Sequence, residues 1–426
     1  MYILPQSVLR DCSVWWLFIF GVGVISLFLL QGFSSTSNRR ISYNKVPRLL
    51  FIYHVVRYHY SNTDIMSRNT QTSAFRVIID PRSSYPYGSF YLYGLIELLG
   101  KKRVSFSLKP FQELGDPGWN FRFVMVSEDS TKRYFIHTND TYHIDKKNYD
   151  WCDVYGHVNA NFEHYPKDRY EKIISLAPSF GIRAMSLTQT MIMAMLNFLK
   201  AYQHIMNRSE WNKYKNKNDI NKLSNIKHFF GRQYKTWKNR LPISSYDNST
   251  GSSDDYIFFL STLWYDHPDN QNDKGVNLRR AYFIRACKSL NITFEGGLVG
   301  DDTSSRNLFA DVLSQNKVEF ADWIRKTKSS SVVFNTPAFW DCHGWKLGEY
   351  LAMGKCIIST KLSNDLPAPL VHGEHIHYVE NTQEAMKEAL EYILSRPEYK
   401  RHLEQGATVY WKKYGTPIQS LKLLGF

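Results

Sequence analysis

The sequence predicts an α/β protein with two domains, and three observations support this class. Residues 330–360 contain a buried strand (Val332–Asn335), a helix from about Trp345 to Met353, and a second buried strand (Cys356–Ser359). Two strands joined through a helix form a βαβ unit, which implies a parallel sheet. Short apolar strands alternate with helices in both halves of the chain, and a Pro/Ser/Gly/Asp-rich linker, Leu241–Asp255, separates the halves.

Composition narrows the class of protein. The chain has 426 residues and 43% hydrophobic residues, which is enough for two packed domains and excludes wholesale disorder. Its net charge of +14 indicates anionic partners such as phosphates, nucleotides, nucleic acid or an acidic membrane. Five scattered cysteines form no CxxC pair, which argues against a zinc site and favours a reducing compartment.

A hydrophobic stretch lies near the N-terminus. Residues 14–33 are mostly apolar, and about twenty such residues can span a bilayer as a helix. Basic residues are more frequent after this stretch than before it, which places the bulk of the chain in the cytoplasm. A cleaved signal peptide is the alternative. Met66 is an alternative start, which would make residues 1–65 a dispensable extension.

The first α/β region begins with the strand Phe75–Asp80, a loop, and a helix around Phe90–Leu99. Gly88, near the loop-to-helix junction, allows a ligand or another backbone to approach closely. Further strands are predicted at residues 104–108, 121–126, 134–137, 151–155 and 172–176. His157 follows one of them and is our candidate for a base that accepts a proton from an acceptor hydroxyl, with positioning of substrate as its alternative role.

Residues 187–240 differ in composition from the α/β region that precedes them. A long apolar helix, Thr188–Tyr202, is followed by a basic segment with interleaved aromatic residues; eleven Lys and Arg but only two acidic residues occur between Lys200 and Arg240. A solvated helical hairpin and an interfacial patch on anionic lipid both fit this pattern. Nucleic-acid binding would give a similar pattern, but no fold signature for it is present.

The second α/β region places functional side chains at one edge of its sheet. Between the strand Val332–Asn335 and the following helix, the loop carries Asp341, His343, Gly344 and Lys346, and Glu349 lies one turn into the helix. Ligands of parallel sheets bind at the carboxyl ends of the strands, where a helix N-terminus offers free N–H groups to phosphate. A carboxylate at the position of Glu349 can accept the two hydroxyls of a ribose, although a surface pair with Lys346 would explain it too.

These residues resemble a known family. The sequence CHGWKLGEYLAMGKCIIST, followed by LVHGEHIHYVENTQEAMKEALEYIL, is similar to the C-terminal domain of GT-B glycosyltransferases of the nucleotide-sugar-dependent E-x7-E type, also called group 1 or family 4-like. The resemblance implies an α/β GT-B fold, in which two Rossmann-like domains face each other across a cleft. It covers about residues 255–395. Here an N-terminal hydrophobic helix would precede the two domains.

The resemblance also implies roles for individual residues. Glu349 would bind the ribose, Asp341 would be the first, catalytic acid near the donor sugar, and Gly344 would let the loop approach the donor. His343 and Lys346 lie within reach of the same donor site, as does Gly88 from the first domain. Lys274-Gly275 is similar to the family's Lys-Gly step, so Lys274 and Arg279 would bind the diphosphate.

Two departures from the family pattern stand out. The first acid is Asp, one methylene shorter than Glu, and STLWYDHP stands where the family has an arginine. No D-x-D triplet occurs in the chain, which favours a metal-independent site with no cofactor beyond the nucleotide-sugar co-substrate. The E-x7-E group generally retains configuration at the sugar.

The predicted organisation is a tail with an anchor helix (1–45, helix 14–33), an acceptor domain (46–186), a basic aromatic insertion and linker (187–250), a donor domain (251–397), and a C-terminal helix that crosses back (398–426). The predicted function is transfer of a sugar from a nucleotide-diphosphate sugar to a glycan or lipid-linked acceptor at the cytoplasmic face of a membrane. Nucleic acid is not an expected partner. Two alternatives remain: a lumenal type II enzyme, since Asn139, Asn207, Asn248 and Asn291 begin N-x-S/T sequons, and a non-enzymatic basic binding protein with a degenerate nucleotide fold.

Overall fold

The computed structural model describes residues 75–166, 169–206, 222–247, 251–264, 275–300, 306–316 and 318–426. The predicted anchor at residues 14–33 and the predicted diphosphate ligand Lys274 lie outside these residues. Among the residues that are described, no helix is long and apolar enough to cross a membrane. The described chain forms two α/β lobes, each with its own sheet.

The first lobe contains a six-stranded sheet in the order β2-β1-β3-β4-β5-β6. Its strands are β1 (Arg76–Ile79), β2 (Val104–Phe106), β3 (Phe121–Val126), β4 (Thr131–His137), β5 (Val154–His157) and β6 (Ile173–Ser175). All pairings are parallel except those of β3, which runs antiparallel to both of its neighbours. The sheet is therefore mixed, whereas the sequence predicts a Rossmann-like lobe.

The reversal at β3 has a local cause. The connection from β3 to β4 is a tight turn in which the Ser127 N–H donates to the Ser130 carbonyl at 2.9 Å. So short a connection can join only antiparallel strands, because a parallel pair needs a crossover of a dozen or more residues. The polar turn residues carry this information in the sequence, yet the pattern of apolar residues alone does not reveal strand direction.

Where the structure describes the chain, five helices accompany the first sheet: α1 (Tyr85–Leu99), α2 (Lys146–Trp151), α3 (Leu187–Lys200), α4 (Tyr202–Met206) and α5 (Lys222–Asn239). The loop from β1 to α1 is held by Asp80, whose buried carboxylate pairs with Arg82 and Arg122, each at 2.9 Å. Helix α1 begins five residues earlier than the sequence predicts, so Gly88 lies inside its first turn and not at a junction.

All strand pairings in the described residues of the second lobe are parallel. They are β7 (Tyr256–Thr262), β8 (Thr293–Val299), β9 (Val333–Asn335), β10 (Ile357–Ser359) and β11 (His377–Tyr378). The Ser331 N–H donates to the Tyr256 carbonyl at 2.7 Å and joins β7 to β9, and Leu298 of β8 forms a parallel bridge with Leu313. The resulting order, Leu313-β8-β7-β9-β10-β11, is the doubly wound order of dinucleotide-binding sheets.

The helices of the second lobe are α6 (Val276–Lys288), α7 (Arg306–Phe309), α8 (Phe320–Ser329), α9 (Trp345–Ala352), α10 (Gln383–Leu394), α11 (Pro397–Tyr410) and α12 (Pro417–Leu423). Helix α12 packs on α1 of the first lobe, where a Cβ at Gly94 would lie only 2.7 Å from the Pro417 carbonyl oxygen. The absence of a side chain at Gly94 therefore allows α12 to pack closely on α1 of the first lobe.

Candidate active site

The carboxyl edge of the second sheet carries a set of polar side chains. Asn335 Nδ2 donates to Ser359 Oγ at 2.9 Å, and the hydroxyls of Thr336 and Thr360 are also 2.9 Å apart. Helix α9 starts at this edge, and its N-cap residue, Gly344, provides no side-chain cap. The first N–H groups of α9 therefore have no side-chain acceptor, which is the arrangement that suits an anion.

Three cations converge on the same edge. Arg279 donates to the Pro337 carbonyl at 3.1 Å, Arg280 to the Thr262 carbonyl at 2.8 Å, and Lys346 to the Leu260 carbonyl at 2.6 Å. Burial lowers the pKa of Lys346 well below its usual value, and the neighbouring Arg280 adds to this effect. Burial likewise lowers the pKa of Arg280, to about 10. An anion bound here would relieve the repulsion between these positive charges.

Glu349 lies one turn into α9 and is only 3% exposed. Its Oε1 is 3.5 Å from Nη1 of Arg240, a residue at the end of the first lobe. Burial raises the pKa of Glu349, while Arg240 and Lys346 act in the opposite direction. The guanidinium of Arg240 also lies 4.5 Å from the ring centre of Trp345, which precedes Glu349 by four residues on α9.

Helix α9 packs directly against the first lobe. We call the region between the two lobes at this contact the interlobe crevice. A Cβ at Gly348 would lie 2.2 Å from the Pro178 carbonyl oxygen, and the ring centres of Trp345 and Tyr87 are 4.9 Å apart. Glu349 is thus placed between the lobes and not on an outer surface. The crevice is closed around it.

Asp341 is placed differently from Glu349. Its side chain is 63% exposed and lies 3.9 Å from Arg279. Trp340 and Asp341 both have left-handed backbone angles, with φ of 50° and 57°. Such angles are strained for residues with a side chain, and strain of this kind concentrates at functional sites. The two predicted acids therefore differ in exposure. Asp341 is exposed to solvent near Arg279, whereas the Glu349 carboxylate is buried.

His343 and His157 are linked through Asn159. The His343 backbone N–H donates to Asn159 Oδ1 at 2.7 Å, and the Asn159 N–H donates to Nδ1 of His157 at 3.0 Å. His157 Nδ1 therefore accepts, and its Nε2 proton faces Nδ1 of His137 at 2.9 Å. His157 is fully buried, and burial lowers its pKa well below the usual value. It does not reach the surface of the crevice.

The His343 side chain is buried, and its Nε2 has no hydrogen-bond partner. Burial lowers the pKa of this imidazole to about 4, so the ring is neutral near pH 7. A neutral, buried ring nitrogen is able to hold one hydrogen bond to a ligand group that reaches it. The structure therefore places His343 at the contact between the lobes, within the loop that also carries Asp341.

The two predicted glycines are in unlike surroundings. A Cβ at Gly344 would meet only the Ala338 methyl at 3.7 Å, so space remains open beside the N-terminus of α9. A Cβ at Gly88 would lie 2.4 Å from the ring of Phe121, so this glycine is needed for packing of α1 on β3. Gly88 also lines a small cleft of about 300 Å³, counted with its opening to solvent, at the end of β1.

An aromatic and cationic layer on the first-lobe side was not predicted from the sequence. Tyr87 contacts Trp119 edge-on with ring centres 5.4 Å apart, and the guanidinium of Arg232 lies 4.3 Å from the centre of the Trp119 ring. Trp119 is 50% exposed. Arg240 was missed as well. None of these residues belongs to a motif, and they come together only through the packing of α1 and α5.

Two observations concern metals and thiols. In the part of the chain that the structure covers, no group of three or more His, Cys, Asp or Glu side chains is placed to hold a metal ion.

Cys152, Cys287, Cys342 and Cys356 are all buried and free. Burial raises the pKa of each of these four thiols, so they are protonated near neutral pH.

Comparison with known proteins yields neighbours among solved structures only. No family model matches the sequence, and no curated protein matches it. The chain is similar to a glycosyltransferase from Rickettsia africae, with 13% identity over 90% of this chain and 82% of the other, at a TM-score of 0.35. The C-terminal domain of a group 1 family glycosyl transferase, LpcC from Francisella tularensis, shares 13% identity over 39% of this chain and 88% of its own, at a TM-score of 0.28.

A third neighbour is HepE of Anabaena in complex with UDP. It shares 8% identity over 68% of this chain and 96% of its own, at a TM-score of 0.30. HepE has also been solved with UDP and glucose and with UDP-glucose. Two of these three neighbours are described as glycosyltransferases, and the third was solved with a nucleotide or a nucleotide sugar.

Proposed function

We propose that this chain is a GT-B glycosyltransferase of the E-x7-E type, which transfers a sugar from a nucleotide-diphosphate sugar to a glycan or lipid-linked acceptor. One observation carries the proposal: a buried carboxylate, Glu349, lies one turn into the helix that starts at the carboxyl edge of parallel strands, which one backbone hydrogen bond and one bridge place in dinucleotide-binding order. A sheet of this kind binds ligands at that edge. Structural packing alone would favour an apolar residue at this position, because a buried charge costs free energy.

The cations explain how the leaving group would be stabilised. Cleavage of the bond between sugar and phosphate leaves negative charge on a nucleoside diphosphate, and groups fixed in advance around that charge lower the barrier. Arg279, Arg280 and Lys346, with the N-terminus of α9, are such groups at one edge. We therefore propose a metal-independent reaction. In this scheme Asp341 faces the donor sugar, and the reaction retains the configuration at its anomeric carbon.

The closed crevice has a consequence for donor binding. Glu349 is buried and paired with Arg240, so two ribose hydroxyls reach its carboxylate only when Arg240 moves aside. In our proposal the hydroxyls then replace the guanidinium as partners of Glu349. The open space beside Gly344 would take the diphosphate. Donor binding thus requires the two lobes to separate at α9.

We assign the acceptor to the first-lobe side of the crevice. Trp119 offers half of its indole surface to solvent, and the flat apolar face of a sugar ring packs well on such a ring. Arg232 and Tyr87 beside it provide polar groups. His157 is too buried to serve as a base, so we assign it a positioning role: it accepts the N–H of Asn159, which in turn holds the His343 loop.

A donor screen tests the proposal. We expect the melting temperature of the full chain to rise with one class among UDP-, GDP-, ADP- and CMP-linked sugars, because a ligand that binds only the folded state stabilises it. Glu349→Gln should abolish both this rise and donor hydrolysis, whereas Glu391→Gln, on the exposed side of α10, should change neither. No rise with any donor, or full turnover in Glu349→Gln, would overturn the proposal and favour a non-enzymatic binding protein.

The location of the enzyme is tested separately. We propose that the lobes lie at the cytoplasmic face of a membrane. Expression in a secreting eukaryote followed by removal of N-glycans distinguishes this from a lumenal enzyme. A mobility shift that disappears when Asn139, Asn207, Asn248 and Asn291 are all replaced by Gln would show that the sequons are glycosylated, and the cytoplasmic proposal would be wrong.

A further inference from the structure

The loop before α9 contains a strained turn that is contacted by a residue outside the loop. Trp340 and Asp341 are consecutive residues with left-handed backbone angles. Residues with a side chain rarely adopt such angles, and they keep them only where surrounding contacts impose them. Within the loop, the Asp341 N–H donates to the Ala338 carbonyl at 3.1 Å. From outside it, Nδ2 of Asn364, in the segment after β10, donates to the Asp341 carbonyl at 3.0 Å. The turn therefore depends in part on where the Asn364 side chain points.

Asn364 is itself held by the first lobe. Nδ2 of Asn161, in the segment after β5, donates to Oδ1 of Asn364 at 3.3 Å and to the Ser363 carbonyl at 3.0 Å. Both asparagines are buried. Hydrogen bonds thus run without a break from Asn161 through Asn364 to the Asp341 carbonyl, and we call this chain of contacts the amide relay.

Backbone carbonyls at both ends of the amide relay fix the orientation of its two amides. A carbonyl oxygen only accepts hydrogen bonds, so Asn161 must turn its NH2 group towards Ser363. Asn364 then presents its oxygen to that NH2 group, which leaves its own NH2 group facing the Asp341 carbonyl. Reversal of either amide would bring like groups together. The first lobe thus determines which group of Asn364 faces the turn.

Further hydrogen bonds join the segment after β10 to the first lobe. The Asp365 N–H donates to the Ala160 carbonyl, and the Phe162 N–H donates to Oδ2 of Asp365, both at 2.7 Å. Ser175 Oγ donates to the Asp365 carbonyl at 2.9 Å. These bonds keep Asn364 opposite Asn161 as long as the lobes are in contact. Separation of the lobes here would break the amide relay at the bond between the two asparagines.

We propose that the amide relay makes the position of the Asp341 carboxylate depend on closure of the two lobes. In the closed form Asn161 and Asn364 hold the left-handed turn, with the carboxylate 3.9 Å from Arg279. When the lobes separate, Asn364 loses the partner that orients it, and the turn relaxes to less strained angles that move the carboxylate. The two asparagines are therefore positioning residues. Only the catalytic role of Asp341 rests on the proposed function; the relay and its effect on the turn do not.

Urea denaturation of the full chain tests the relay without an activity assay. Asp341→Gly is compared with Asp341→Ala in the unmodified, Asn161→Ala and Asn364→Ala backgrounds. Glycine should be the more stable replacement in the unmodified background. Its advantage should fall to less than about half in the other two, because a released turn no longer forces alanine into left-handed angles. Ser175→Ala removes an interlobe hydrogen bond outside the relay, so this matched control should keep the full advantage.

Kinetics test the effect on the carboxylate, with the UDP-, GDP-, ADP- or CMP-linked sugar that raises the melting temperature most. The kcat for donor hydrolysis should fall roughly tenfold or more in Asn161→Ala and in Asn364→Ala, with the donor KM unchanged. The reason is that the donor site at Glu349 remains intact while the Asp341 carboxylate is displaced. Ser175→Ala should change neither kcat nor KM.

The two measurements separate the relay from the proposed function. A full advantage of glycine in Asn161→Ala, or the same loss of that advantage in Ser175→Ala, would overturn the relay. An unchanged kcat, or a raised donor KM with kcat unchanged, would do so too. If no nucleotide sugar binds, the proposed function fails, while the denaturation series still decides the relay. Asn161→Ser replaces Asn161→Ala if that variant does not fold.

Discussion

Arg240 Nη1 lies 3.5 Å from Oε1 of Glu349, and this ion pair joins the end of the first lobe to helix α9 of the second. The carboxylate is almost completely buried, whereas the arginine side chain is 26% exposed. The pair therefore lies at the border between a dry interior and solvent. It links the residue that we assign to donor binding with the segment that connects the lobes.

Removal of Arg240 should destabilise the protein. Arg240→Met would leave Glu349 buried without its cation, and we expect a loss of about 2 kcal/mol in the free energy of unfolding at pH 7. Urea denaturation measures this loss. In a double-mutant cycle, adding Glu349→Gln should restore most of the stability, because a neutral amide needs no cation. Strictly additive effects of the two substitutions would contradict the ion pair.

The close contact at Gly348 predicts strong sensitivity to a single methyl group. Gly348→Ala would place a Cβ 2.2 Å from the Pro178 carbonyl oxygen, so α9 must move away from the first lobe. We expect a loss of about 1–3 kcal/mol, the range for overpacked positions. Gly344→Ala is the control, because the nearest atom to its Cβ would be 3.7 Å away. Unchanged or increased stability in Gly348→Ala would contradict the contact with Pro178, because alanine is the better helix former and would stabilise α9 in the absence of that contact.

The left-handed backbone at Asp341 predicts different effects of substitution on stability and on activity. Asp341→Gly should be more stable than Asp341→Ala by about 1 kcal/mol, because only glycine adopts a φ of 57° without strain. Both variants should lose donor turnover equally if the carboxylate faces the sugar. Asp322 in the first turn of α8 serves as control, since there glycine should be the less stable replacement. Denaturation curves of the Gly and Ala variants at Asp341 and Asp322 measure the stabilities, and a donor assay measures turnover.

Three buried histidines predict a dependence of stability on pH. Burial lowers the pKa of both His137 and His343 to about 4 from a usual 6.5, and that of His157 falls well below its usual value too. Between pH 6.5 and 4 the unfolded chain therefore binds more protons at these sites than the folded chain does. The free energy of unfolding should fall as the pH is lowered through this window, by up to about 1.4 kcal/mol per pH unit for each histidine.

Denaturation at a series of pH values between 4.5 and 7 measures this slope. His343→Gln should reduce the slope by the share of one histidine, even though the substitution lowers stability at every pH. A flat profile in the unmodified protein would contradict the burial of these rings.

The sequence by itself determined much of the second lobe. Buried β-branched runs such as Val332–Asn335, the helix that starts at Trp345 and the glycine stop at Gly354 are local signals, and the observed elements agree with them to within a residue or two. The placement of functional side chains on the loop before α9 follows from the same pattern. The local sequence is sufficient to predict these elements because the formation of each strand and helix depends mainly on its own residues.

Only the tertiary structure decided which residues meet. The sequence could not show that Arg240 faces Glu349, that Asn159 holds His343, or that Tyr87 and Trp119 line the first-lobe side, because each contact joins segments far apart in the chain. Nor could it show that His157 is sealed inside, or that α3 turns its leucines outward. Strand direction at β3 and the burial of each side chain depend on how the lobes pack, and packing is a property of the whole fold.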